Sequence, residues 1–386
     1  MARRNAEDKS HIAYRYRVYP TPEQTVLFHK TFGCCRKVWN LMLSDKIESY
    51  KETGKFVSIT PAMYKDKYPF LREVDSLALA NKQMDLQQAF RNCFDKKRKK
   101  KNQFPKFKSA KKSRKSYTTN NVNGNIVLGE KYIKLPKIGN VKAAIHRLPE
   151  EHWVIKSVTV SMERDGSYYI SILFEFDKPQ VEYVVNLENA IGLDYASDGL
   201  YVDSNGNKGS NHKYYRESQK KLAKEQRRLS RKIGNKKNEV KSDNYLKQLK
   251  KVNKIHRHIA NQRKDYLHKT STEITNQYDV ICVENLNMKT MANKGFKNGK
   301  ATMDNGYGMF LNMLEYKLNT RGKQLVKVDQ WYPSSQLCHC CGKRHPAMKD
   351  LQIRMMQCGC GLTINRDHNA AINILQEGLR LLSEVA

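Results

Sequence analysis

Three acidic residues stand where a hydrolytic metal site needs them. Asp194 closes the run Ala190-Ile191-Gly192-Leu193, Glu284 closes Val280-Ile281-Cys282-Val283, and Asp367 follows Ile364-Asn365-Arg366 at the start of a helical pattern. The first two runs are short and apolar, as expected of strands buried in a sheet. Acids at strand ends along one sheet edge converge on a crevice even when they are far apart in sequence. Three carboxylates there need cations, and oxygen donors suit Mg²⁺. Two such ions about 4 Å apart activate water and stabilise the leaving 3′-oxygen of a phosphodiester. An acid on its own reads as a cap or ion-pair partner, and that is the expectation for Asp198 and Asp203, which lie in turns.

A second cluster is made of cysteines. Five of the nine fall between Cys338 and Cys360, as Cys338-His339-Cys340-Cys341-Gly342 and Cys358-Gly359-Cys360-Gly361. Four thiolates, Cys338, Cys341, Cys358 and Cys360, fit one tetrahedral structural Zn²⁺ with no open position. Cys340 or His339 is the alternative to Cys341, which the two-residue spacing and Gly342 favour. Cys34, Cys35, Cys93 and Cys282 lie among apolar residues and read as core. No Cys–His–Asp nucleophile and no Walker-type phosphate loop is present, which argues against a thiol hydrolase and an ATPase.

The elements that must position these groups can be traced along the chain. Ile12–Tyr19 alternates apolar and basic residues, the pattern of a half-buried strand. Thr21-Pro22-Glu23-Gln24 reads as a helix start, and spacings of three and four carry the helical pattern to about Lys101. Asn125–Phe176 returns to alternation, with a hairpin turn at Arg164-Asp165-Gly166-Ser167. With Ile12–Tyr19 these strands suit a small β-barrel holding the helices as an insertion, and Asp177–Gln180 reads as a domain boundary. In the second half, strands at 190–194, 200–202, 280–284 and 324–328 alternate with helices over 216–268, 307–320 and from about 368 to 384. That alternation indicates an α/β layer around one sheet.

Charge bounds the partner. The 386 residues carry 71 Lys and Arg against 38 Asp and Glu, a net charge of +33. Such an excess favours a polyanion, since each cation set against a phosphate releases a counterion. Two stretches concentrate it. One is Lys96–Lys115, with Lys97, Arg98, Lys99, Lys106 and Lys111 around Phe104-Pro105-Lys106-Phe107; the other is the helices of Arg216–His268, with Arg227, Arg228 and Arg231. No apolar run is long enough to span a membrane and none reads as a signal core, so the expectation is a cytoplasmic, nucleoid-associated prokaryotic protein.

The order GLDYASDGLYVDSNG, VICVENLNM, SSQLCHCCG, CGCG and NRDHNAAINIL resembles TnpB, the transposon-encoded RNA-guided DNA nucleases related to miniature type V CRISPR effectors. YRYRVYPTPEQ, HRHIANQRKDYLHK and DNGYGMF…LEYK extend the likeness over nearly the whole chain. The resemblance implies an α+β multidomain fold: a β-barrel wedge domain (1–25 and 119–180) with an inserted helical recognition domain (26–118), then an RNase H-like RuvC α/β domain (181–332 and 364–386) with an inserted zinc ribbon (333–363). It implies Asp194, Glu284 and Asp367 as RuvC acids binding Mg²⁺, and Cys338, Cys341, Cys358 and Cys360 as zinc ligands. A noncoding guide RNA and double-stranded target DNA are the implied partners, with one protein chain per RNA. Ser76, Asn81 and Gln83 fall in the helix where relatives touch a target-adjacent DNA motif. Ile364-Asn365 departs from the usual His-Asp before Arg-Asp, and the second cysteine pair is one residue short. The readings from other classes are an RNA-guided repressor without cleavage and a conventional DNA transposase that needs no RNA.

Overall fold

The computed structural model describes residues 9–95, 103–177, 185–210, 212–233, 241–291 and 299–384. The chain forms two compact units, Met1–Pro179 and Gln180–Ala386.

The first unit begins with β1 (Lys9–Tyr19), whose Tyr14, Tyr16 and Val18 point inward while Arg15 and Arg17 face solvent. Next comes α1 (Pro22–Thr53). Thr21 and Gln24 form a reciprocal capping box, Pro22 takes the first helical position, and Gly54 closes the helix at φ 69°. Such a cap stabilises a helix by about 1 kcal/mol. Expected helix up to Lys101 is interrupted here: two short 3₁₀ turns, Pro61–Tyr64 and Pro69–Arg72, precede α2 (Ser76–Phe94). Proline opens each turn because its fixed φ suits a first helical residue and its missing N–H cannot continue a helix.

The rest of this unit is β2 (Lys115–Asn120), β3 (Val127–Leu128), β4 (Tyr132–Leu135), β5 (Gly139–Ala144), β6 (Val154–Met162) and β7 (Tyr168–Asp177). All pair antiparallel in the order β2-β6-β7-β1-β5-β4-β3. The expected closed barrel is corrected to an open sheet, because the end strands β2 and β3 share no ladder among the described residues. Tyr16, Phe28, Met42, Leu86 and Phe174 lie in one core joining sheet and helices.

The second unit contains β8 (Ala190–Tyr195), β9 (Tyr201–Asp203), α3 (Tyr214–Ser230), α4 (Asp243–Gln277), β10 (Val280–Glu284), α5 (Met288–Met291), α6 (Gly299–Asn305), α7 (Tyr307–Thr320), β11 (Gln324–Val328), β12 (Met355–Gln357), β13 (Thr363–Asn365) and α8 (Arg366–Ser383). The main sheet runs β11-β10-β8-β9, parallel except for the antiparallel edge strand β9. β10 is buried on both faces. Ile281 and Val283 pack with Phe310 and Leu314 of α7 and Leu267 of α4, while Val280 and Cys282 pack with Ile374 of α8. Burying each such side chain stabilises by roughly 1.5–3 kcal/mol. Among the described residues, no helix is long and apolar enough to cross a membrane.

Candidate active site

Leu193 pairs with Val283, so Asp194 and Glu284 are the next residues on two adjacent parallel strands. Both therefore reach the carboxyl edge of the sheet, about 4.8 Å apart as strands pack. Asp367 arrives from the helix. Asn365 caps α8, its Oδ1 accepting from the N–H groups of Asp367 (2.9 Å) and His368 (3.3 Å).

The height of α8 over the sheet follows from two glycines. A Cβ on Gly192 would lie 2.1 Å from the carbonyl oxygen of Ala371, and one on Gly378 would lie 2.3 Å from the Sγ of Cys282. Only hydrogen at these positions lets the helix backbone rest on β8 and β10. Asp367 lies one turn before Ala371, about 6 Å along the axis, and Asp194 lies about 6.6 Å past Gly192. Both acids are thus carried to the same end.

The electrostatics record this convergence. Burial holds the Asp194 carboxyl well above the usual carboxylate range, and the charges of Glu284 and Asp367 push it further; Arg366 and the Tyr195 N–H pull the other way. Burial lifts Glu284 to about 7. Arg354 lies 3.5 Å from Asp367. An all-oxygen set of repelling, half-buried carboxylates fits a hard divalent cation, which would relieve that repulsion. Asp198 pairs with Lys208 (2.6 Å), and Asp203 accepts the N–H groups of Asn205 and Asn207 in its own turn.

Tyr307 escaped the sequence reading. Its hydroxyl is buried without a hydrogen-bond partner among the described residues, and burial together with Asp194 and Glu284 keeps it protonated. Tyr195 carries a second such hydroxyl, with the two rings 4.9 Å apart. The signal was the segment Asp304-Asn305-Gly306-Tyr307-Gly308. There, Asn305 Nδ2 donates to the carbonyls of Ala196 (2.9 Å) and Gly199 (2.6 Å), and Asp304 pairs with Arg263 of α4 (3.1 Å). The Asn305 bonds fasten the start of α7 to the loop that follows Asp194, and the Asp304 pair fastens it to α4.

The four thiols Cys338, Cys341, Cys358 and Cys360 come together, all sulfurs within 4.8 Å of one another. The pairs Cys338–Cys360 and Cys341–Cys358 are 3.7 and 3.5 Å apart. A tetrahedron with Zn–S of about 2.3 Å places its sulfurs about 3.8 Å apart, so the set fits. Gly342 (φ 71°) and Gly361 (φ 90°) turn the two knuckles. Burial raises Cys338, but the N–H groups of Cys341 and Cys340 and two neighbouring thiols bring it down to about 6. The Leu362 N–H lowers Cys360, yet the other three thiols outweigh it and lift the group to about 12. A cation bound among them would favour the thiolate form of all four and offset their mutual repulsion.

Cys340 is exposed and outside this group. His339 turns to α8 instead: its N–H donates to Asn369 Oδ1 (3.1 Å) and its Nδ1 lies 3.0 Å from the same oxygen. Asn369 and Asn373 each donate to the Leu337 carbonyl at 2.7 Å. The cysteine insert is thereby docked on the helix that carries Asp367.

The expected nucleic-acid residues divide. Lys97, Arg98 and Lys99 lie outside the described residues. Lys106, Lys111, Arg227, Arg228 and Arg231 are exposed, with Arg228 paired to Glu225 (2.8 Å). Ser76 is exposed and accepts from Lys65 (2.9 Å), whereas Asn81 is half-buried and donates to Leu77 O (2.9 Å) and Asn120 (3.4 Å). Gln83 is half-buried.

Comparison with known proteins adds the following. A family profile described as "Probable transposase" (OrfB_IS605) matches residues 158–295, and one described as "Cas12f1-like, TNB domain" matches 307–374. A third, "Helix-turn-helix domain" (HTH_OrfB_IS605), matches 10–55. In this chain that segment is one strand and one continuous helix, β1 and α1, with no turn between two helices. A Streptomyces pristinaespiralis protein named "Putative RNA-guided DNA endonuclease" is 34% identical, over 95% of this chain and 89% of its own. The Escherichia coli K12 protein named "Putative RNA-guided DNA endonuclease InsQ" is 29% identical over 96% and 93%. The protein in a solved Cas12f1–sgRNA–target DNA complex shares the fold at TM-score 0.51 and 12% identity, covering 95% of this chain and 99% of that one.

Proposed function

The chain belongs to the TnpB-like OrfB family, and from that premise we propose that it is an RNA-guided DNA endonuclease with one nuclease crevice, formed by Asp194, Glu284 and Asp367. The observation that carries this reading is the meeting of these acids from the ends of β8 and β10 and the first turn of α8. Bound divalent cations, Mg²⁺ above all, would supply an activated water and charge stabilisation at the leaving oxygen. Asp194 and Glu284 would hold them from the sheet edge, and Asp367 from the helix. The capped first turn of α8 orients Asp367, and Arg354 balances its charge until a cation does. Cys338, Cys341, Cys358 and Cys360 would hold a structural Zn²⁺ that keeps the insert folded against α8.

Recognition would be shared between protein and RNA. Base pairing with a guide reads the target, while the protein grips backbones through its basic surface and reads a short DNA motif. The exposed cations Lys106, Lys111, Arg227, Arg228 and Arg231 suit the backbone role. Ser76 faces solvent and suits motif contact; Asn81, already bonded internally, suits positioning.

The test is direct. The protein is purified with the RNA it carries, that RNA is sequenced, and Mg²⁺-dependent cleavage of a matching DNA library with randomised flanks is measured. Cutting by the wild type and none by Asp194→Ala supports the reading. RNA-dependent binding without cutting favours a repressor, and DNA breakage without RNA favours a conventional transposase.

A further inference from the structure

The first unit carries a cavity of about 140 Å³, of the same order as one that accepts a benzene ring. It is unrelated to the acids. Five cations line it: Arg36 from α1, Lys82 from α2, Lys108 and Arg114 from the stretch before β2, and Lys115 at the start of β2. This is the inner wall of the basic run that the sequence singles out.

Apart from Arg114, which is exposed at the rim, these cations are buried or half-buried. Lys82 is only 8% exposed, on a helix face otherwise formed by Ala78, Leu79, Leu86 and Phe90. Its ammonium pairs with Asp85 at 2.6 Å. Lys108 is fixed through its backbone. Its N–H donates to Asn40 Oδ1 (2.8 Å), its carbonyl accepts from Asn40 Nδ2 (2.9 Å), and the Lys106 carbonyl accepts from Trp39 Nε1 (3.1 Å). Its Nζ sits 3.4 Å from the centroid of the Trp39 ring. Arg36, Lys108, Arg114 and Lys115 have no ion-pair partner among the described residues. The lining residues include five cations and no carboxylate; nearby, Asp85 pairs with Lys82, and the charge of Asp75 reaches Cys35. Burial, reinforced by Lys82, lowers the Lys108 ammonium to about 8. A preformed pocket with surplus positive charge is costly unless an anion enters it.

Ser113 and Ser116 add two hydroxyls to the lining. Guanidinium, ammonium and hydroxyl donors around a compact space match the several acceptor oxygens of a phosphate. We propose that this cavity seats a single phosphate group of a nucleic-acid backbone. The phosphate would act as an anchor, fixing the position of the strand against α1 and α2 independently of base identity. DNA and RNA offer the same group, and binding to each polymer separately tells them apart.

The experiment compares Lys108→Gln, Arg114→Gln and Lys108→Arg with the wild-type full-length protein. Affinity for duplex DNA is measured with the RNA-loaded protein, and affinity for the co-purifying RNA with the stripped protein, each over a range of salt. The expected result is a severalfold weaker affinity for one polymer in both Gln variants. Its log–log salt slope should fall by about one, the signature of one lost phosphate contact. Lys108→Arg should retain binding, and the polymer affected identifies the source. Lys51→Gln, an exposed change on α1 away from the lining, should leave the slopes unchanged. Unchanged slopes for both polymers in Lys108→Gln and Arg114→Gln overturn the proposal, as does an equal loss in Lys51→Gln. Should Lys108→Gln melt early because the Trp39 stack is lost, Arg114→Gln, exposed at the rim, decides alone.

Discussion

Gly192 and Ala371 touch backbone to backbone: the space where a Cβ would stand on the strand residue is closed by the helix carbonyl, 2.1 Å away. Nothing in that contact can rotate aside. The vertical position of Asp367 over Asp194 is therefore set by a glycine two residues before the acid.

Gly192→Ala forces α8 off β8. The cost expected from overpacking is about 1–3 kcal/mol. Because the helix must shift, Mg²⁺-dependent cleavage should fall much further than the melting temperature alone explains. Thermal melting and single-turnover cleavage on the same preparation check this. A variant that melts early and cuts at the wild-type rate contradicts it.

Glu284 gives a pH-dependent signature in metal-free protein. Its folded value of about 7 lies above the ordinary carboxylate value, so the folded state holds a proton that the unfolded state has released. Stability is therefore lost as pH rises from about 4.5 through about 7. Glu284→Gln should stabilise the metal-free protein by on the order of 1–3 kcal/mol at pH 8 and by little at pH 4.5. Denaturant melts at the two pH values check the sign. Saturating Mg²⁺ should reverse the difference, since only the wild type keeps the ligand.

Cysteine substitutions should separate ligand from bystander. Cys341→Ser, within the sulfur cluster, should lose zinc from the purified protein, and Cys340→Ser should keep it. Metal analysis of the two variants reads this. Chelation of the wild type should loosen the first turn of α8 as well as the insert, because Asn369 and Asn373 tie both to Leu337. Hydrogen exchange at residues 366–371 measures that loosening.

Tyr307→Phe removes a buried hydroxyl with no partner among the described residues. Leaving such a group unsatisfied costs about 1–3 kcal/mol, so the metal-free variant should melt no lower than the wild type and on the order of 1 kcal/mol more stably. A drop in melting temperature contradicts the unpartnered state.

Legibility in the sequence followed the range of the force involved. Val280–Glu284, Tyr307–Thr320 and Gln324–Val328 were readable to the residue, because a buried strand or an amphipathic helix writes its period locally. Asp194 and Glu284 stood out as strand ends for the same reason. What stayed hidden depends on a second segment. Whether β2 meets β3 is not encoded in either strand. Gly192 and Gly378 read as unremarkable glycines until α8, which carries Gly378, lies across β8 and β10. Asn81 looked available for DNA, but its amide is taken by Leu77 and Asn120. Lys82 reads as one more surface lysine, and only the packing of α2 reveals it inside a wall.

The position of α8 in the chain has a consequence for synthesis. β8 and β10 leave the ribosome first, with two of the three acids but with Val280, Cys282, Val326 and Val328 uncovered until the helix emerges. Cover and third acid arrive on the same segment. A prematurely stopped product thus exposes an apolar sheet and lacks Asp367.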